Sequence, residues 1–333
     1  MKKWVRDFEI GGQVVKPGER ALVSLKIPSL FDCTELSIPV HVIRGKVKGP
    51  TVFVSAAVHG DEINGVEVCR KLLKKTYLKK IKGTLLVIPI VNVFGFNSAI
   101  RYLPDRRDLN RSFPGNKKGS LASRMAHIFM SEVVSKCDYG IDLHTGAIHR
   151  SNLPQVRISL KGSKIKDLAK CFGTKVILDS KLRDGSLREA AYESGTPVLL
   201  FEGGQALRFE RPVIEMALKG ISSVLSRLQM IPEVKRKKAI DPLIAKSSAW
   251  LRAKRSGVFS SSKKLGDHVS KGEIVGRISD LSSDTSYTLK SKYDGLIIGM
   301  SLLPLVNEGD ALFNVATTNR IKEFDPEYFL LEE

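Results

Sequence analysis

The chain has 333 residues, 42% of them hydrophobic, enough for one large unit plus a small one and too apolar for wholesale disorder. It carries 54 Lys and Arg against 35 Asp and Glu, a net charge of +19, but the basic residues are scattered and Lys235-Arg236-Lys237-Lys238 is the one dense run. With no recognition-helix, zinc-finger or RNP-type pattern, that charge argues against a specific nucleic-acid partner and leaves a solvated surface or attraction of an acidic substrate.

No apolar run approaches the ~20 residues of a transmembrane helix, and residues 1–13 lack the apolar stretch of a secretory signal. Cys33, Cys69, Cys137 and Cys171 are far apart and form no Cys-x-x-Cys pair, so reduced thiols in the cytoplasm are expected.

Residues 5–46 read as strands with turns at Gly11-Gly12 and Pro17-Gly18, the β-rich runs being 21–27 and 36–43. Residues 51–58 are apolar and β-branched, the composition of a strand buried on both faces. His59-Gly60-Asp61-Glu62 breaks that run, and Ile63, Val66, Val68, Leu72 and Leu73 then recur at helical spacing. A second buried strand, 84–91, opens into a long segment, 92–119, rich in Asn, Arg, Pro and Gly. A loop of that length in a compact unit is functional or disordered, and its four aromatics and the run Asp108-Leu109-Asn110-Arg111 argue for function.

Residues 120–136 are helical, with Ser120 as N-cap. A strand at 139–144 ends in His144, as the earlier strand ends beside His59. Strands at 155–160 and 175–178, helices at 164–172 and 187–194, a buried strand at 197–201 ending in Glu202, and a long helix at 210–228 follow. The division expected is an α/β domain over 1–231, a linker over 232–246 and a β-domain over 247–333. Within the last, 257–273 and 295–310 form a faint repeat with glycine turns, the pattern of a barrel-sandwich unit. The carrier lysine of lipoyl-type domains is absent.

In an open α/β sheet, ligands are met at the carboxyl ends of strands. His59, Glu62, His144 and Glu202 all stand there. Two imidazoles and a carboxylate with a fourth position open suit a catalytic Zn²⁺, one per chain. A second carboxylate, Glu202, can accept a proton from the attacking water and return it to a leaving nitrogen. Asp108 is placed to orient a ligand imidazole, and Arg101 and Arg111 to hold a carboxylate and polarise a carbonyl. His41, His127 and His268 read as structural or surface residues.

In order, VHGDE, DLNRSFPG, DLHTG and FEGG resemble the zinc carboxypeptidase superfamily, and most of all its succinylglutamate desuccinylase/aspartoacylase branch. The motifs span roughly residues 35–230, and the β-rich tail is similar to the domain that branch appends over its active-site mouth. The resemblance implies a doubly wound mixed sheet of zinc-carboxypeptidase type with a small C-terminal all-β domain. By position it implies His59, Glu62 and His144 as zinc ligands, Glu202 as general base and acid, and Asn110 with Arg111 as the site for the substrate's free carboxylate. Arg101 would stabilise the oxyanion, with Arg106 or Arg107 as alternatives because the loop length differs, and Asp108 would bond the His59 ring. Tyr287 and Tyr293 are candidates for a tyrosine that some relatives bring from the tail.

The activity implied is hydrolysis of the amide in a small N-acylated amino acid. A carboxypeptidase acting on peptide or peptidoglycan C-termini shares the Asn-Arg pair, and a non-catalytic binding protein on the same scaffold is the third reading. A homo-oligomer is compatible with the sequence.

Overall fold

The computed structural model describes residues 6–159, 163–234, 241–318, 320 and 325–329. The basic run at 235–238 lies outside the described residues. The chain opens with strands β1 (Phe8–Ile10), β2 (Gln13–Val15), β3 (Arg20–Ile27) and β4 (Leu36–Arg44). An alternating segment follows: β5 (Val47–Ala56), α1 (Asn64–Leu73), β6 (Lys82–Ile88), α2 (Val93–Asn97), α3 (Leu121–Glu132) and β7 (Tyr139–Gly146). It continues through β8 (Arg150–Ile158), α4 (Ser163–Phe172), β9 (Val176–Asp179), α5 (Leu187–Glu193), β10 (Val198–Gln205) and α6 (Arg211–Arg227). The remainder is β-structure: β11 (Leu243–Ala245), β12 (Ser247–Arg252), β13 (Gly257–Ser261), β14 (His268–Val269) and β15 (Ile274–Ser279). The last strands are β16 (Ser286–Lys290), β17 (Gly295–Ser301), β18 (Leu305–Val306) and β19 (Ala311–Thr317).

Strands β6, β5, β7 and β10 lie side by side and parallel at the centre of a large mixed sheet. Side chains alternate across it with period two. Val52, Val54 and Ala56 enter one apolar core, with residues of α1, α4 and α6, while Phe53 and Val58 enter another, with residues of α3 and α5. Leu85 and Val87 face the first, Leu86 and Ile88 the second. Burial on both faces explains why these strands are continuous apolar runs rather than alternating ones. The architecture is the doubly wound mixed sheet.

Beyond β10 the sheet forks. β8 runs antiparallel to β10; its first half pairs with β17 and its second half with β9. Through β17 the strands β19 and β12 extend the same sheet, so the C-terminal segment is hydrogen-bonded into the α/β unit. The smaller sheet, in order β16-β15-β13-β18, is antiparallel throughout.

The sequence repeat has a structural counterpart. Ser270 N donates to the Glu273 carboxylate and Asn307 N to the Asp310 carboxylate, each at 2.8 Å. Gly272 and Gly309, both at φ +90°, occupy the same place in those two turns. The short strand after each first strand pairs with the other half: β14 with β17, and β18 with β13. The long loop predicted at 92–119 is ordered by the short helix α2 and by a helical turn at Leu109–Arg111.

Candidate active site

Three strand ends meet above the parallel centre of the sheet. Register places Ala56 beside Leu143 and His144 beside Glu202, so the β5, β7 and β10 ends are level. Past β5 the chain turns at Ala57, a non-glycine residue at φ +49°, and runs into His59-Gly60. A Cβ on Gly60 would lie 2.0 Å from the Gly95 carbonyl carbon, so only glycine admits the α2 backbone here. That approach brings the 92–111 loop over the strand ends.

His59, Glu62 and His144 are 4%, 2% and 5% exposed, and one ligand atom from each lies within 4.8 Å of the others. Glu62 stands between the two rings: Oε1 is 2.7 Å from His59 Nδ1, and Oε2 is 2.9 Å from His144 Nδ1. The far ring nitrogens are held by aspartates. His59 Nε2 is 3.2 Å from Asp108 Oδ1, and His144 Nε2 is 2.7 Å from Asp142 Oδ2. Asp142 in turn accepts from Ser55 Oγ at 2.7 Å. Both imidazoles therefore turn Nδ1 toward the common centre while a carboxylate takes the other ring N–H, as metal-ligating histidines do. The donor set fits one Zn²⁺: two imidazoles and a carboxylate, buried, with their outer nitrogens anchored.

The charges of the three bear on one another. Burial pushes the Glu62 carboxyl up, but His59 and then His144 outweigh it and hold it well below the ordinary carboxylate range. Burial likewise pushes the His144 ring down, and Asp142 and Glu62 reverse that, holding its pKa well above the usual imidazole value.

Arg101 reaches this cluster, donating to Glu62 Oε1 at 3.2 Å and to Asp108 Oδ2 at 2.9 Å. Asn92 fixes its backbone, capping α2 at Gly95 N and donating to the Arg101 carbonyl at 3.3 Å. Arg106 and Arg107 are exposed, and Arg107 pairs with Asp105. Asn110 is buried and accepts from Leu187 N at 2.9 Å, which ties the 108–111 turn to α5. The Arg111 guanidinium folds back onto the Asn110 carbonyl. Tyr293 packs in the C-terminal core and Tyr287 lies under Arg255; among the described residues no contact joins either to the metal site.

Glu202 has partners that the sequence did not announce. Asn152 Nδ2 donates to its Oε2 at 2.7 Å, and Arg157 Nη1 lies 3.5 Å from its Oε1, both from β8. Arg183 and Arg188 share the same surroundings. Burial pushes the Arg188 guanidinium down to about 10, Arg157 pushes the same way, and Glu202 opposes them. Burial and then the charges of Arg111 and Arg157 likewise lower Arg183. Among the described residues no carboxylate lies within 4.0 Å of Arg111, Arg183 or Arg188. Asp142 could have been found from its place two residues before His144; the β8 residues carried no local sign.

A family model described as the succinylglutamate desuccinylase/aspartoacylase catalytic domain matches residues 48–228, more than half of the chain. The chain belongs to the succinylglutamate desuccinylase/aspartoacylase family. It is 26% identical over 298 residues to the N-alpha-acetyl-L-2,4-diaminobutyric acid deacetylase of Halomonas elongata, covering 84% of this chain and 85% of that protein. A succinylglutamate desuccinylase/aspartoacylase structure from Rhodobacter sphaeroides superposes with a TM-score of 0.81 at 25% identity, over 89% of this chain and 95% of that one. The product-bound ectoine utilization protein EutE (DoeB) of Ruegeria pomeroyi shares the fold, with a TM-score of 0.82 at 23% identity, over 90% and 95% of the two chains. As a member of the succinylglutamate desuccinylase/aspartoacylase family with an intact His-Glu-His site, the chain is a zinc-dependent amide-bond hydrolase.

Proposed function

We propose that this enzyme removes the acyl group from a small N-acylated amino acid that bears a second acidic group. The observation that carries the reading is the charge around Glu202. Arg157 lies 3.5 Å from the Glu202 carboxylate, whose charge also bears on Arg183 and Arg188, and Arg111 adds its charge to that of Arg183; among the described residues Arg157 Nε and Arg188 Nη1 are buried donors without a partner. Buried guanidinium groups are retained where an anion completes them. An N-acyl amino acid brings its α-carboxylate, which suits Asn110 and Arg111; the remaining guanidinia call for another anion, on the side chain or on the acyl group.

Zn²⁺ held by His59, Glu62 and His144 would supply Lewis acidity toward a carbonyl and raise the acidity of a water. Glu202, placed beside His144 by strand register, takes the proton of the attacking water and returns it to the leaving nitrogen. Arg101 offers charge to the developing oxyanion while holding Glu62 and Asp108 in place. Amine and carboxylic acid are the products.

The purified zinc-loaded enzyme should be assayed on N-acetyl and N-succinyl derivatives of aspartate, glutamate, 2,4-diaminobutyrate and leucine, together with dipeptides. Acidic substrates are expected to exceed the cationic and neutral ones in kcat/KM by at least about tenfold, the size of one charge-assisted contact. A preference for the diaminobutyrate derivative, the substrate named for the Halomonas relative, would overturn the acidic reading. A preference for dipeptides would favour the carboxypeptidase.

A further inference from the structure

We infer that Asn152 is a positioning residue for the Glu202 carboxylate, and that Gly299, contributed by the C-terminal strand β17, holds Asn152 in that role. The inference rests on Glu202 acting as the proton carrier. Asn152 is 7% exposed, and its Nδ2 makes the short contact to Glu202 Oε2, 2.7 Å against 3.5 Å for Arg157 on the other oxygen. A carboxylate that must face an attacking water loses rate when it rotates away, because the reacting geometry has to exist before the chemistry starts.

What keeps the amide aimed is the strand on its other side. Asn152 lies opposite Gly204 of β10 and opposite Gly299 of β17, so a glycine flanks it on both strands. A Cβ on Gly299 would lie 2.9 Å from Asn152 Oδ1 and 3.3 Å from Asn314 Cβ. Asn152 Oδ1 and Nδ2 belong to one planar amide, so a Cβ that displaces Oδ1 also displaces the nitrogen bonded to Glu202. Gly299 does not have the left-handed φ that reserves a position for glycine. An alanine there is acceptable to the backbone, and in a strand it is ordinarily favourable. The cost of Gly299→Ala therefore falls on Asn152 rather than on the strand. The C-terminal segment thereby reaches the reaction without placing a side chain in it.

The test is a pair of double-mutant cycles on the full-length, zinc-loaded enzyme, with N-acetyl-L-aspartate and N-succinyl-L-glutamate as probes. Asn152→Ala should lower kcat about tenfold to a hundredfold, the worth of a hydrogen bond to a charged group. KM should move less than about threefold, with zinc content and Tm close to those of the parent. Gly299→Ala should lower kcat in the same direction. The double variant should be no slower than Asn152→Ala alone, and Asn152→Ala should add nothing in a Glu202→Gln background. A readout without turnover is the Asn152 side-chain amide pair in a 15N spectrum, identified by its loss in Asn152→Ala; it should shift in both Gly299→Ala and Glu202→Gln. Unmoved amide signals in Gly299→Ala, or effects of Asn152→Ala and Gly299→Ala that simply multiply, overturn the inference. So does an Asn152→Ala variant within twofold of the parent while Glu202→Gln is inactive. An active Glu202→Gln would instead remove the proton-carrier reading on which the inference stands.

Discussion

At the scale of single residues, the proposed roles separate groups that hold an ion from groups that act on a substrate. His144 contributes a ring whose two nitrogens are engaged by Glu62 and Asp142 at 2.9 and 2.7 Å. Its removal leaves those two buried carboxylates facing a gap. His144→Ala is expected to lose the single zinc ion while retaining secondary structure, because β7 is packed by Ile141 and Leu143. Metal analysis alongside circular dichroism checks this; full zinc occupancy in the variant would contradict the ligand set. Glu202→Gln keeps shape and hydrogen bonding but cannot carry a proton. It should retain zinc and substrate binding and lose ~10²–10⁴ in kcat, the range typical of general acid–base catalysis. Arg111→Ala would remove the proposed contact to a substrate carboxylate, a group present in ground and transition states alike, so its effect should appear mainly in KM. Steady-state kinetics distinguish the two, and the reverse pattern would mean that the roles are exchanged.

Among elements, β8 joins the site to both the central and the C-terminal strands. It presents Asn152 and Arg157 to Glu202, pairs with β10 on one side, and is shared by β17 and β9 on the other. Leu153 of β8 and Val176 and Leu178 of β9 are buried with Leu243, Leu296, Ile298 and Ala316 of the C-terminal strands. Ending the chain at Lys246 would strip β17 from β8 and uncover those side chains, at about 1.5–3 kcal/mol for each large aliphatic group re-exposed. It would also leave the Ser151 to Asn152 edge of β8 unpaired, an invitation to association. The truncated chain is expected to show a lower Tm and to self-associate, measured by thermal unfolding and light scattering. A monomeric product with unchanged Tm would show the two segments to be independent.

For the molecule as a whole, the net charge is +19, and Arg157, Arg183 and Arg188 carry charge of that sign to the Glu202 side of the site. A field of that sign draws anionic substrates in and is screened by salt, with a Debye length of about 10 Å at 0.1 M and 3 Å at 1 M. Raising ionic strength from about 0.05 to 0.5 M should therefore raise KM for an acidic substrate a few-fold and leave kcat nearly unchanged. A neutral N-acyl amino acid should show little change in either constant. Equal salt responses for the two would assign the charge to surface solvation.

How much of this was legible beforehand follows from the range of each interaction. The apolar runs of β5, β6, β7 and β10 and the helical spacing of α1 and α3 are local patterns, and burial periodicity alone identifies them. His59, Glu62, His144 and Glu202 were legible for the same reason, because each closes or follows a recognisable strand. The loop from 92 to 111 could be marked as functional, but not that Gly60 and Asn92 dock it over the strand ends. Asn152, Arg157, Arg183 and Arg188 had no local sign, since polar residues at those positions are chemically ordinary until β8 and α5 are packed against Glu202. The tail's repeat could be read from its glycine turns, whereas its entry into the main sheet through β17 could not. By itself, the sequence determined the strands, their order and the residues at their ends, because those depend on which face of a short segment is apolar. Only the tertiary structure decided which of them touch, because pairing between β8 and β17 or between Glu62 and His144 depends on register across separations that no local pattern spans.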